Sequence, residues 1–212
     1  MKIDFVSDVV CPWCVVGLKS LEMALARLGQ EVAADIHIQP FELNPQMGPG
    51  GQDIAEHIAQ KYGSSAADMA RSQEALQARG EAVGFQFDFQ RRGRIYNTFD
   101  AHRLLHWAEA EGKQLALKNA LFTAYFTEGR DPSNHDVLVS VAGSVRLDET
   151  RARQILESGE FAEAVRERER FYTEAGIQAV PSVIINDRHL IQGGQPPEVF
   201  EQALRRLAAG DG

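Results

Sequence analysis

The sequence predicts an α/β fold in which two mixed halves, β-α-β and α-β-β-α, flank an all-helical block. Three observations predict it. Apolar residues alternate at the start and then switch to helical spacing at Pro12. The patterns from residue 53 to 171 are mostly helical. The last quarter returns to two short strand-like segments ahead of a final amphipathic helix.

The elements follow in order. In "KIDFVSDVV", Ile3, Phe5 and Val9 alternate with polar residues, a strand running into a loop. From Pro12, the residues Val15, Leu18, Leu21, Met23, Leu25 and Leu28 give a helix that Gly29 stops. "VAADIHIQPFELNP" regains strand character around residues 36–41. In the middle, 98–111, 114–126, 134–145 and 149–156 are the clearest helices. Phe85, Phe87 and Phe89 alternate, which suggests a short extended segment, while Phe122, Tyr125 and Phe126 read as helix core. "FAEAVRERERFYTEAG" is a helix stopped by Gly176. "VPSVIIN" and "HLIQGG" enclose a turn at "NDR", a hairpin signal, and Pro196 and Pro197 open the last helix.

Composition narrows the function classes. The 212 residues are ordinary for a soluble globular protein, 44% hydrophobic and 25% charged. Thirty acidic against 22 basic residues give a net charge of −8. That field repels nucleic acid and anionic membrane surfaces. The basic stretch "RRGR" (91–94) reads as a solvated loop. No apolar run reaches the ~18 residues of a membrane-spanning helix. Asp4, Ser7 and Asp8 interrupt the apolar start, so no signal peptide is expected and the cytoplasm is the expected compartment. Thiols there are held reduced, which favours catalytic or metal-binding roles over a permanent staple.

Cys11 and Cys14, the two cysteines of the chain, stand three apart in "SDVVCPWCVVG". Three readings compete. A structural disulfide closing so small a loop contributes only about 2 kcal/mol. A zinc site needs four ligands, and the pair supplies two; His102 and His106, four apart, could offer the others, but nothing brings them to Cys11. The redox reading explains more. A cysteine just before a helix meets unpaired N–H groups and the positive end of the helix dipole, both of which favour thiolate. Pro12 suits the first helical position, and Cys14, one turn inward, is spaced to resolve a mixed disulfide formed at Cys11.

A second signal lies in "GIQAVPSVIIN". Pro181 opens a strand-like run, where a proline removes a ladder donor. Alone it suggests an edge position with a trans bond. Beside a helix-opening cysteine pair, a cis Val180–Pro181 bond near the sulfurs is the better reading, with the Val180 backbone free to pair with an extended substrate segment. Trp13 is balanced between flanking a substrate and packing on the helical block. Asn97 and Thr98 read as a helix cap.

Taken together, "SDVVCPWC", "NTFDAHRL", "GIQAVPSVIIN" and "GGQPPEVFEQAL" resemble the DsbA-like thioredoxin-fold family, in particular its cytoplasmic FrnE-type branch. The resemblance spans essentially the whole chain. It implies a thioredoxin-like domain of residues 1–52 and 158–212, interrupted by a helical insertion at 53–157 that covers the active site. It implies Cys11 as nucleophile, Cys14 as resolving cysteine, Pro181 as cis-proline and the Val180 backbone as a substrate holder. With Pro12 and Trp13, it also suggests Asn97 or His102 facing substrate from the insertion. The implied partners are a disulfide-bearing protein or small molecule and a reducing thiol system; a homodimer is left open. No cofactor or metal is expected beyond the Cys11–Cys14 redox couple, with glutathione as a candidate co-substrate. Trp13 stands where periplasmic DsbA carries histidine, which argues against a strongly oxidising role. The alternatives are a glutathione-dependent isomerase or transferase resembling 2-hydroxychromene-2-carboxylate isomerase, and a non-catalytic zinc-binding or adaptor module.

Overall fold

Along the chain, β1 (Lys2–Ser7), α1 (Pro12–Leu28) and β2 (Asp35–Pro40) come first. There follow β3 (Gln52–Asp53), α2 (Ile54–Tyr62), α3 (Ala66–Ala82), β4 (Arg94–Ile95), α4 (Phe99–Ala110), α5 (Gln114–Phe122), α6 (His135–Ser144) and α7 (Glu149–Glu157). Then α8 (Ala162–Glu174), β5 (Ser182–Ile185), β6 (His189–Gln192) and α9 (Pro197–Ala208) complete the chain. These assignments come from a computed structural model that describes residues 1–210.

The main sheet has the order β2-β1-β5-β6. Strand β1 is buried from Ile3 onward because it lies inside this sheet: Phe5 faces Ile38 of parallel β2 and Val183 of antiparallel β5. A parallel pair needs a crossover, and α1 supplies it. The β5–β6 turn places Asn186 and Asp187 at φ 52° and 57°, a left-handed conformation that these two residue types tolerate. Helix α9 packs along α1, and Arg27 reaches Glu198 at 3.0 Å and Glu201 at 2.7 Å across that seam.

The helical block between β2 and α8 shares one apolar core with the sheet and α1. Two features differ from the sequence reading. Residues 85–89 form no strand; Phe87 stacks on Phe89 at 5.3 Å and meets Phe126 edge-on at 5.4 Å, so the alternating rings collapse onto a helix instead of pairing. The expected single helix over 114–126 is α5 followed by a π-helical turn, Thr123–Thr127, which carries buried Tyr125 and Phe126. No helix among the described residues is long and apolar enough to cross a membrane.

Candidate active site

Helix α1 brings the two sulfurs to one end of the sheet. Cys11 is its N-cap in extended backbone conformation, Pro12 opens its first turn, and the Cys14 N–H donates to the Cys11 sulfur at 3.3 Å. Both cysteines are free thiols and both are buried, Cys11 with 4% and Cys14 with 0% of its surface exposed. From the other half of the chain, the Val180 carbonyl lies 3.7 Å from the Cys11 sulfur, and the Val180–Pro181 bond is cis. The approach is close because residue 17 is glycine: a Cβ there would sit 3.0 Å from Pro181 Cγ. Gly194 does the same for Trp13, whose ring carbon would be 3.1 Å from an added Cβ.

Charge around the pair comes from residues that sequence reasoning did not single out as site residues. Lys118 of α5 is fully buried, its Nζ lies 4.9 Å from the Phe122 ring centroid, and it has no hydrogen-bond partner among the described residues. Burial pushes its pKa down to about 8, against the opposing pull of Cys14, Asp8 and Cys11. Burial, and then the bond to Cys11 and its charge, push the Cys14 thiol well above its ordinary value, with Lys118 opposing. Asp8, three residues before Cys11, is also fully buried. Burial alone would raise its carboxyl. His102, the Leu43 N–H and Thr98 outweigh that and hold it below the ordinary carboxylate range. No sequence pattern marks Lys118 as buried, since it sits among ordinary helix positions.

Cys11 opens on a cleft of 490 Å³ between the start of α1, the Val180 segment and helices α2 and α3. Pro12, Trp13 and Val180 line it as well. Trp13 is 36% exposed at the mouth, and it packs on Gly194 and under the Arg79 guanidinium of α3, 5.9 Å from the ring centroid. Asn97 and His102 are not brought to the cleft. Asn97 accepts the Phe99 N–H at 2.9 Å, as a cap does, and donates to Glu42 at 3.3 Å. His102 is 2% exposed and bonded to Asp8 at 3.3 Å, so its ring is spent inside the core. The "RRGR" stretch is not wholly solvated either: Arg92 is buried and lines the cleft, because aromatic rings pack around its guanidinium.

The arrangement of a helix-capping thiol, a second thiol one turn inward and a Val-Pro segment against the first sulfur spans the two ends of the chain. A family model described as the DSBA-like thioredoxin domain matches residues 2–205. The chain belongs to this family. The Bacillus subtilis protein YwbO, itself uncharacterised, is 29% identical over 205 residues, 96% of each chain. The crystal structure of a probable DsbA oxidoreductase from Streptomyces coelicolor superposes with a TM-score of 0.91 at 32% identity, covering 100% of this chain and 91% of that one. Two more distant structures share the DsbA-like fold. The cytosolic disulfide reductase DsbM from Pseudomonas aeruginosa, solved with GSH, has a TM-score of 0.69 at 15% identity, covering 99% of this chain and 100% of that one. A 2-hydroxychromene-2-carboxylate isomerase has a TM-score of 0.74 at 20% identity, covering 100% and 98%. Among the described residues, no three His, Cys, Asp or Glu side chains converge as a metal site.

Proposed function

We propose that this chain is a cytoplasmic thiol–disulfide oxidoreductase whose working couple is Cys11 and Cys14. The observation that carries the reading is the Cys11 sulfur at the mouth of α1, under the Cys14 N–H and beside the Val180 carbonyl, facing a 490 Å³ cleft. Cys11 thiolate attacks a substrate disulfide R–S–S–R′, forming Cys11–S–S–R and releasing R′–S⁻. Cys14 then loses its proton and attacks the Cys11 sulfur, releasing R–S⁻ and leaving the Cys11–Cys14 disulfide. Two electrons from a second thiol system restore the dithiol. Helix amides aimed at the capping sulfur stabilise negative charge there during both attack and departure. Pro12 presets the helix turn that presents the sulfur, Trp13 screens one side of the cleft, and the backbone beside Pro181 holds an extended substrate.

Disulfide reduction is the preferred direction, since a cytosolic disulfide reductase shares the fold and the cytoplasmic glutathione pool favours the reduced dithiol. That relative was solved with GSH, which supports glutathione as co-substrate. The test is trapping: Cys14→Ser should accumulate a mixed disulfide at Cys11, and Cys11→Ser should abolish exchange. Dithiol exchange that persists in Cys11→Ser defeats the reading. The isomerase fold neighbour favours one second reading, a glutathione-dependent isomerase; isomerase activity that survives Cys14→Ser would select it.

A further inference from the structure

The basic stretch from Arg91 to Arg94 divides between two environments. Arg91 and Arg94 are exposed. Arg92 is 8% exposed, with its guanidinium 5.7, 5.5 and 5.0 Å from the ring centroids of Phe89, Tyr125 and Phe126. Its Nε has no hydrogen-bond partner among the described residues. Asp88, four residues earlier, is engaged elsewhere: it pairs with Arg91 Nε at 3.2 Å and accepts the Gln90 and Arg91 backbone N–H groups at 3.1 Å. An arginine stays protonated in a protein interior, so Arg92 is a buried cation that no carboxylate pairs with among the described residues, at a desolvation cost that the Tyr125 side chain and the Cys11 charge offset only in part. Three ring faces offset part of that cost; an uncompensated buried charge still carries a large desolvation penalty.

Arg92 also lines the cleft onto which Cys11 opens. Of the other ionisable lining groups besides Cys11, Tyr62 is 61% exposed, and two are already occupied. Asp68 accepts the Ser65 N–H at 3.0 Å and pairs with Arg71, and His57 Nδ1 contacts Gln52 Oε1 at 2.9 Å. A net charge of −8 repels anions from the protein as a whole, so any preference for an anion must arise locally, at Arg92. The volume falls in the ~300–1,000 Å³ range of small-molecule sites. A planar guanidinium matches a carboxylate through two parallel N–H···O bonds.

We propose that the cleft takes a low-molecular-weight disulfide or thiol that carries a carboxylate, bound by Arg92 while its sulfur meets Cys11. This rests on the oxidoreductase reading and names the substrate class for it. In the exchange, the Cys11 thiolate forms a bond to one sulfur of the disulfide. The S–S bond breaks, and the departing sulfur leaves as a thiolate with the bond's electron pair.

The test uses the full-length reduced protein and two probes, 3,3′-dithiodipropionate (dianionic) and bis(2-hydroxyethyl) disulfide (neutral). Rates are normalised to those of free dithiothreitol. The wild type should prefer the anionic probe. Arg92→Met should lower the anionic-to-neutral rate ratio about 10- to 100-fold, the range for a charged hydrogen-bonding partner, and Arg92→Lys should keep part of it. Equal losses on both probes, or an unchanged ratio, overturn the proposal. Exchange with neither probe defeats the oxidoreductase reading instead. Should Arg92→Met fail to fold, the wild type still decides. Suberate, the sulfur-free isostere of the anionic probe, should slow alkylation of Cys11 by iodoacetamide, and 1,8-octanediol should not. Absence of protection by suberate counts against the carboxylate site whatever the enzyme's reaction.

Discussion

The Val180 carbonyl and the Cys11 sulfur lie 3.7 Å apart although 169 positions separate them in sequence. Strand pairing creates this contact. Val6 of β1 sits opposite Ser182 of β5, so the loop leaving β1 and the loop entering β5 emerge at the same end of the sheet. Cys11 follows the first loop and Val180–Pro181 ends the second. The reactive end of the molecule is therefore fixed by the central strand pair, whose residues on β1 are buried from Ile3 to Ser7.

Gly17 sets how closely α1 can approach Pro181, with 3.0 Å between an added Cβ and Pro181 Cγ. Gly17→Ala asks the proline ring to shift by a few tenths of an ångström; Gly17→Val asks for far more. Exchange rates at Cys11 should fall in the order wild type, Ala, Val. Overpacking should cost about 1–3 kcal/mol in the valine variant. Urea denaturation and exchange kinetics on the same samples check both. A valine variant that loses stability but keeps its rate would show that the Pro181 position does not govern the chemistry.

Asp8 and His102 form a fully buried pair at 3.3 Å, and Asp8 also accepts the Leu43 N–H at 2.7 Å. Removing one partner leaves a buried carboxylate short of a donor, so His102→Ala should destabilise by about 3–5 kcal/mol. Replacing both residues by leucine removes the unpaired carboxylate and should recover part of the loss, while the Leu43 N–H loses its acceptor. The carboxyl of Asp8 is held below its ordinary value in the folded state. Its contribution is therefore present above the ordinary carboxylate value of 3.8 and lost as pH falls through the lower folded value. Acid titration of stability should show a transition that Asp8→Asn shifts or removes.

The order of elements and the helix start at Pro12 were legible because each rests on local chemistry, whereas the pairing of the cysteine motif with Val180–Pro181, 169 positions away, was legible only from the two motifs read together. Periodicity marks the strands and helices, proline marks helix openings, and a three-residue spacing places two thiols on one helix turn. Strands β3 and β4 escaped because two residues each carry no period. The environments of Lys118 and Arg92 escaped for a different reason. Charged residues read as solvated by default, whereas the fold buries both, Lys118 against Phe122 and Arg92 among Phe89, Tyr125 and Phe126. His102 escaped in the opposite sense: its place in a motif suggested the cleft, while its partner, Asp8, lies on the core side.

Lys118 has the clearest pH signature of the buried groups. Its folded pKa is pushed down from 10.5 to about 8 by burial. Between those values the unfolded chain binds a proton that the folded chain does not, so this group makes stability rise with pH across that window. Below about pH 8 both states carry the proton, and the folded protein bears the whole desolvation cost, about 3 kcal/mol at 1.36 kcal/mol per pKa unit. Lys118→Met removes the cost while keeping most of the side-chain volume, so it should be the more stable protein at pH 7, by up to that amount. The gap should close as pH rises from about 8 towards 10.5. Cys14 acts in the other direction: its raised thiol keeps a proton that the unfolded chain loses above the ordinary value of 9.0, so its contribution falls as pH rises past that value. Comparing the two proteins in a Cys14→Ala background removes this term and leaves Lys118 alone. Urea midpoints across pH 7 to 10.5 give the measurement. A gap that stays constant with pH would mean that Lys118 reaches water, and that the charge next to the resolving thiol is not the buried one described above.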